Sequence, residues 1–264
     1  MNYPLLSALS FLVGILVGLT GIGGASLITP MLILVFQVSA SVAIGSDVVA
    51  ATLIKIVGAA KHWQQQTVNL QVVQWLTYGS VPGSLIGVGI LHRLQQTGTS
   101  LDALLLRLLG VAILLITLVA LIQMLVLIFA PQFHLPVLPK LNLETRFGQS
   151  LAVVTGAILG CVVGMTSVSS GSMFALVLIV LFRLDAQKLV GTDLVQAAIL
   201  LSFTSIGHLS LGTVDWSIVL AIWLGSIPGV LIGAKLCQQI PQRPLRFMLY
   251  MLLIMVSWKL VHFA

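Results

Sequence analysis

The chain has 264 residues, of which 59% are hydrophobic and only 7% charged, with a mean hydropathy of +1.16. A water-soluble domain of this length could not keep such a balance in solution. Twelve Lys and Arg against six Asp and Glu give a formal charge of +6. The basic residues gather in short links such as Lys140 to Arg146 and Arg243 to Arg246, so the charge reports membrane topology and excludes a nucleic-acid partner. Composition predicts an all-α, polytopic integral membrane protein whose first partner is lipid.

In chain order, Met1-Asn2-Tyr3-Pro4 lacks the basic start of a cleavable signal, so segment 5–20 is expected to stay in the mature protein. Eight apolar segments follow: 5–36, 42–61, 70–91 and 101–129, then 148–182, 188–207, 215–236 and 245–262. The sizeable polar link, with Pro131, Pro136, Pro139, Lys140, Glu144 and Arg146, divides the chain into a first membrane repeat (1–130), a link (131–147) and a second membrane repeat (148–264). As one helix, 5–36 would be roughly 48 Å long, well beyond a hydrocarbon core of about 30 Å. It must tilt strongly or break.

The break is expected at Thr20-Gly21-Ile22-Gly23-Gly24-Ala25-Ser26, since glycines so crowded disfavour helix and permit turns. The second half reads Thr166-Ser167-Val168-Ser169-Ser170-Gly171-Ser172 at the same place, with serine hydroxyls replacing glycines. Such a turn must face protein or a water-filled cavity, because unpaired backbone groups are costly in lipid. A re-entrant first segment gives three crossings per half and an inverted repeat; a single crossing gives four and a parallel one. Loop Lys and Arg put the amino terminus outside under either arrangement. Segment length favours the re-entrant one.

The two halves are copies. A shift of 146 positions aligns residues 14–87 with 160–233 without a gap, with 24 identities in 74 positions. The matches include Gly18, Thr20, Ser26, Gly45, Asp47, His62, Thr67, Pro82 and Gly83, paired with Gly164, Thr166, Ser172, Gly191, Asp193, His208, Thr213, Pro228 and Gly229. Polar and backbone-breaking residues are thus kept in register inside oily segments, which in a duplicated membrane protein points to equivalent functional places.

Candidate site residues follow from this. New half-helices starting after each break would point free N–H groups and a positive dipole end into the protein, a ready site for an anion. Thr20, Gly21, Gly23, Gly24 and Ser26, with Thr166, Ser167, Ser169, Ser170 and Ser172, form the candidate substrate-binding set. The pairs Gly14/Gly18, Gly83/Gly87, Gly160/Gly164 and Gly229/Gly233 read instead as close helix packing. Asp47 and Asp193 lie in apolar runs, where a carboxylate is expensive unless paired, protonated or hydrated. They read either as coupling or gating groups that could carry a proton, or as helix N-caps. Lys55, whose equivalent is Leu201, is either a fixed positive charge for an anionic substrate or an ion-pair partner of Asp193. His62 and His208 are expected at the membrane boundary, in hydrogen-bonded or gating roles. Pro82-Gly83 and Pro228-Gly229 suit a hinge or a packing kink. Trp63, Trp75, Trp216 and Trp258 read as interface anchors. Cys161 and Cys237 read as packing residues, and no His, Cys or carboxylate cluster has metal-ligand spacing. Neither a metal nor a cofactor is expected, and no nucleophile and base pair suggests an enzyme.

The run Gly18-Leu-Thr-Gly-Ile-Gly-Gly-Ala-Ser-Leu-Ile-Thr-Pro30 with Gly45-Ser-Asp47, and the second copy with Gly191-Thr-Asp-Leu194, His208 and Gly212-Thr-Val-Asp-Trp216, resembles the sulfite exporter TauE/SafE family. The resemblance covers nearly the whole chain. The family's glycine signature falls on Gly21, Gly23 and Gly24, with Ala25 where a third glycine is common and Ser46 where threonine is common. The resemblance implies a bacterial-type cytoplasmic-membrane transporter of sulfite, sulfonates and related sulfur-containing anions. The expectation is therefore an anion transporter working by alternating access, with an uncoupled facilitator or a non-transporting scaffold as alternatives. The sequence allows proton coupling and a homo-oligomer.

Overall fold

The computed structural model describes residues 1–20, 24–96, 101–129, 141–168, 172–184, 186–236 and 242–263. Their regular elements are helices: α1 (Tyr3–Thr20), α2 (Ala25–Leu34), α3 (Ala40–Gln64), α4 (Leu70–Gln96), α5 (Leu101–Phe129), α6 (Arg146–Thr166), α7 (Ser172–Val177, continuing as a π-helical turn Leu178–Phe182), α8 (Ala186–Ser210), α9 (Trp216–Leu236) and α10 (Gln242–Phe263). Among the described residues, five helices are long and apolar enough to cross a bilayer: those over Ala40–Gln64, Asp102–Leu125, Arg146–Thr166, Lys188–Ser210 and Trp216–Gly233. The first segment of each half is divided. One ends in α1 and restarts as α2, which at 10 residues is about half the length needed to span. The other ends at Thr166, where Ser167 turns into the left-handed region with φ 61°.

The bundle is apolar outside and polar within. Leu115, Ile122, Leu224, Leu231, Met248 and Met255 stand more than half exposed on the outer surface, while Ser26, Thr29, Ser46, Asp47, Thr192, Asp193 and Gln196 are buried. That inversion suits a molecule solvated by lipid, where the costly groups must be satisfied internally.

Packing crosses between the halves. The closest helix pairs are α1 with α9 and α4 with α6, while α3 and α8 cross at the centre. Small residues let the backbones approach: a Cβ on Gly79, Gly83 or Gly87 would strike the carbonyls of Val153, Ala157 or Cys161, and one on Gly225, Gly229 or Gly233 those of Ser7, Phe11 or Ile15. These contacts advance together along both chains, so each pair is parallel. Ser46 with Asp215 and Ala50 with Trp223 make α3 parallel to α9. Asn69 with Thr192, Ser80 with Gln196 and Val88 with Gly207 make α4 parallel to α8. Thr52 with Ser205 and Gly58 with Leu194 run the other way, so α3 and α8 are antiparallel. Helices α1, α3 and α9 therefore point one way, and α4, α6 and α8 the other. Because α1 and α3 point the same way, the chain between them doubles back through α2.

Candidate functional site

The site grows from the second turns of α3 and α8, which carry Gly45-Ser46-Asp47 and Gly191-Thr192-Asp193. The helices begin at Ala40 and Ala186, well ahead of the aspartates. That removes the N-cap reading of Asp47 and Asp193 and leaves two carboxylates inside helices.

The glycine and hydroxyl of each triplet grip the opposite half. A Cβ on Gly45 would lie 2.5 Å from Thr213 Oγ1, and one on Gly191 2.5 Å from the Thr67 carbonyl oxygen. The Ser46 hydroxyl accepts the N–H of Asp215 at 3.0 Å, and the Thr192 hydroxyl that of Asn69 at 3.0 Å. Each gripped turn is braced by a histidine: His62 Nδ1 lies 2.9 Å from Thr67 Oγ1, and His208 Nδ1 3.2 Å from Thr213 Oγ1. His208 Nε2 also meets the Gly164 carbonyl at 3.1 Å and therefore donates to it. His208 is buried near the end of α8, whereas His62 is half-buried.

The aspartates differ in their company. Asp47 is fully buried, and its Oδ2 accepts hydroxyls from Thr29 at 2.5 Å and from Ser167 at 3.0 Å. Thr29 belongs to α2 and Ser167 to the break after α6, so both broken segments meet at one carboxylate. Asp193 Oδ2 pairs with Lys55 Nζ at 3.3 Å. Lys55 stands eight residues beyond Asp47 on α3, which sets the two sites about 12 Å apart along the helix axis. Oδ1 of both aspartates is buried with no hydrogen-bond partner among the described residues. Thr52 and Ser205 share a hydrogen bond of 2.7 Å between these two levels.

The structure brings Asp47 and Ser167 together, and Lys55 with Asp193. The Thr166 hydroxyl turns back onto its own helix, donating to the Val162 carbonyl at 2.7 Å. Ser26 is buried in the first turn of α2, and Gly24 caps that helix, its carbonyl accepting the N–H groups of Leu27 and Ile28. Gly21, Gly23, Ser169 and Ser170 lie outside the described residues, as do the side chains of Thr20 and Ser172. Among the described residues no three His, Cys, Asp or Glu side chains cluster as a metal site. Thr29 is the site residue that the sequence pattern does not mark. Its equivalent is Ala175, so comparing the copies is silent there; the Thr-Pro step after the glycine run is its one signal.

A lipid-facing bundle with a buried carboxylate and hydroxyls where broken helices meet, and a buried ion pair further along the same crossing, has the make-up of a multi-pass membrane transporter. The family model described as Sulfite exporter TauE/SafE matches residues 6–260, and the chain belongs to that family. It is similar to the probable membrane transporter protein YjnA of Bacillus subtilis (strain 168), with 38% identity over 250 residues that cover 94% of this chain and 96% of that protein. It is also similar to the probable membrane transporter protein YdhB of the same organism, with 24% identity over 241 residues covering 91% and 93%. No solved structure matches the chain significantly.

Proposed function

We propose that the chain moves small sulfur-containing oxyanions, of sulfite or sulfonate type, by alternating access between its two copies. The observation that carries this reading is the antiparallel run of α3 and α8, each holding a buried aspartate that a residue of the other half engages: Ser167 at Asp47, and Lys55 at Asp193. We read the copies as an inverted repeat with re-entrant first segments, an arrangement in which rocking one half against the other opens a fixed site to alternate sides. The anion would lie at the buried start of α2, beside the positive end of the helix and the Ser26 hydroxyl, with Gly21 and Gly23 of the preceding glycine run as further binding residues. Ser169 and Ser170 of the serine run would complete the binding set, with Asp47 and Asp193 as coupling groups. The family's description supports the substrate class.

The test is flux in proteoliposomes with sulfite, thiosulfate, an alkyl sulfonate and chloride. The expected result is uptake of one or more of the sulfur oxyanions above empty vesicles, with Ser26→Leu abolishing it. Flux of every sulfur oxyanion equal to that of empty vesicles overturns the reading.

A further inference from the structure

The two aspartates hold corresponding places in the repeat, but only one has its countercharge built in. Asp193 has the Lys55 ammonium. The position that corresponds to Lys55 in the second copy is Leu201, which is fully buried, and among the described residues no cation pairs with Asp47. Asp47 receives two hydroxyls instead, both on Oδ2, while its Oδ1 is buried and faces no partner.

This pattern separates the species that could neutralise it. A proton on Oδ1 would create a buried hydroxyl donor with no acceptor among the described residues, and a proton on Oδ2 would have to turn the Thr29 or Ser167 hydroxyl hydrogen away from it. A metal ion needs only lone pairs, and lone pairs are what the site presents. They belong to Oδ1 and to the Thr29 and Ser167 oxygens, whose hydrogens are already committed to Oδ2. Carboxylate and hydroxyl oxygens without sulfur or imidazole suit a hard cation. A single carboxylate balances a single charge, whereas a divalent ion would leave net charge buried. The left-handed turn at Ser167 also brings unwound backbone to the place, as broken helices do where they hold sodium. We propose that Asp47, Thr29 and Ser167 bind a sodium-sized monovalent cation, and that Lys55 is the tethered counterpart of that ion at Asp193. Binding stands on these residues alone; the ion's role in coupling rests on the transport reading above.

The test uses the purified full-length protein at fixed pH and ionic strength, with sodium chloride replacing choline chloride stepwise while the melting temperature is followed. The expected result is a saturable rise of about 5 °C or more, lost in Asp47→Asn and in Thr29→Val. Leu201→Lys, which copies the Lys55 arrangement, should abolish the sodium response as well. Equal melting in sodium and choline overturns the proposal, as does a sodium response retained in either Asp47→Asn or Thr29→Val. The measurement involves no anion, so failure of sulfur oxyanion flux and failure of cation binding are separate results.

Discussion

The Ser46 hydroxyl accepts the backbone N–H of Asp215 at 3.0 Å and so ties the second turn of α3 to the turn that opens α9. Thr192 and Asn69 repeat the contact at the other end of the crossing. Ser46→Val leaves a half-buried N–H without its acceptor and should cost about 1–2 kcal/mol. Ser46→Thr, which copies the second repeat, should be nearly neutral. Unfolding of the purified variants by heat or denaturant separates the two outcomes.

The glycine stripes predict a sharp contrast between positions. A Cβ on Gly160 would collide with the Ser80 backbone, whereas at Gly89 nothing lies within 4 Å. Gly160→Leu must push α6 from α4 along their contact and should abolish monodisperse protein. Gly89→Ala should keep the fold and gain up to about 1 kcal/mol of helix stability. Gel filtration followed by thermal melting reads both.

Lys55 and Asp193 are each only slightly exposed, with side-chain values of 14% and 11%. Removing one partner strands the other in the interior, so Lys55→Leu should destabilise by about 3 kcal/mol. The double replacement Lys55→Leu with Asp193→Leu should recover much of that loss. A double-mutant cycle on unfolding free energies measures the coupling.

Thr52 and Ser205 meet across the α3–α8 crossing with their oxygens 2.7 Å apart. Cysteines at both positions, in a background lacking Cys161 and Cys237, should form a disulfide under mild oxidation. If the halves move against each other during transport, the oxidised protein stays folded and loses flux, and reductant restores it. Full flux in the cross-linked protein would show that this crossing stays rigid throughout the cycle.

Much of this was legible in the sequence because the informative residues are local and repeated. The glycine and serine runs mark where α1 and α6 stop, since few other patterns so clearly oppose helix inside an apolar segment. Asp47 and Asp193 stand out because charge is rare in these surroundings, and the mismatch between Lys55 and Leu201 announces the asymmetry between them. Apart from the Lys55–Asp193 pair, which the rarity of charge suggests, what escaped is pairing between distant segments. Thr67 and Thr213 match in the repeat, yet their contacts with Gly191 and Gly45 arise only when the halves interlock. Thr29 escaped for the opposite reason, having no twin. The bond from His208 to the Gly164 carbonyl of α6 escaped as those of Thr67 and Thr213 did, since it joins residues 44 positions apart.

The exchange of partners, α1 with α9 and α4 with α6, bears on how the protein is made. During synthesis α1 enters the membrane long before α9 exists, so its glycine-lined face must wait beside lipid or a helper protein until the second half arrives. Neither half holds a complete set of helix neighbours, and consolidation is therefore a late event that follows insertion. Each half, expressed alone, should be taken up by quality control, and the two expressed together should rescue each other.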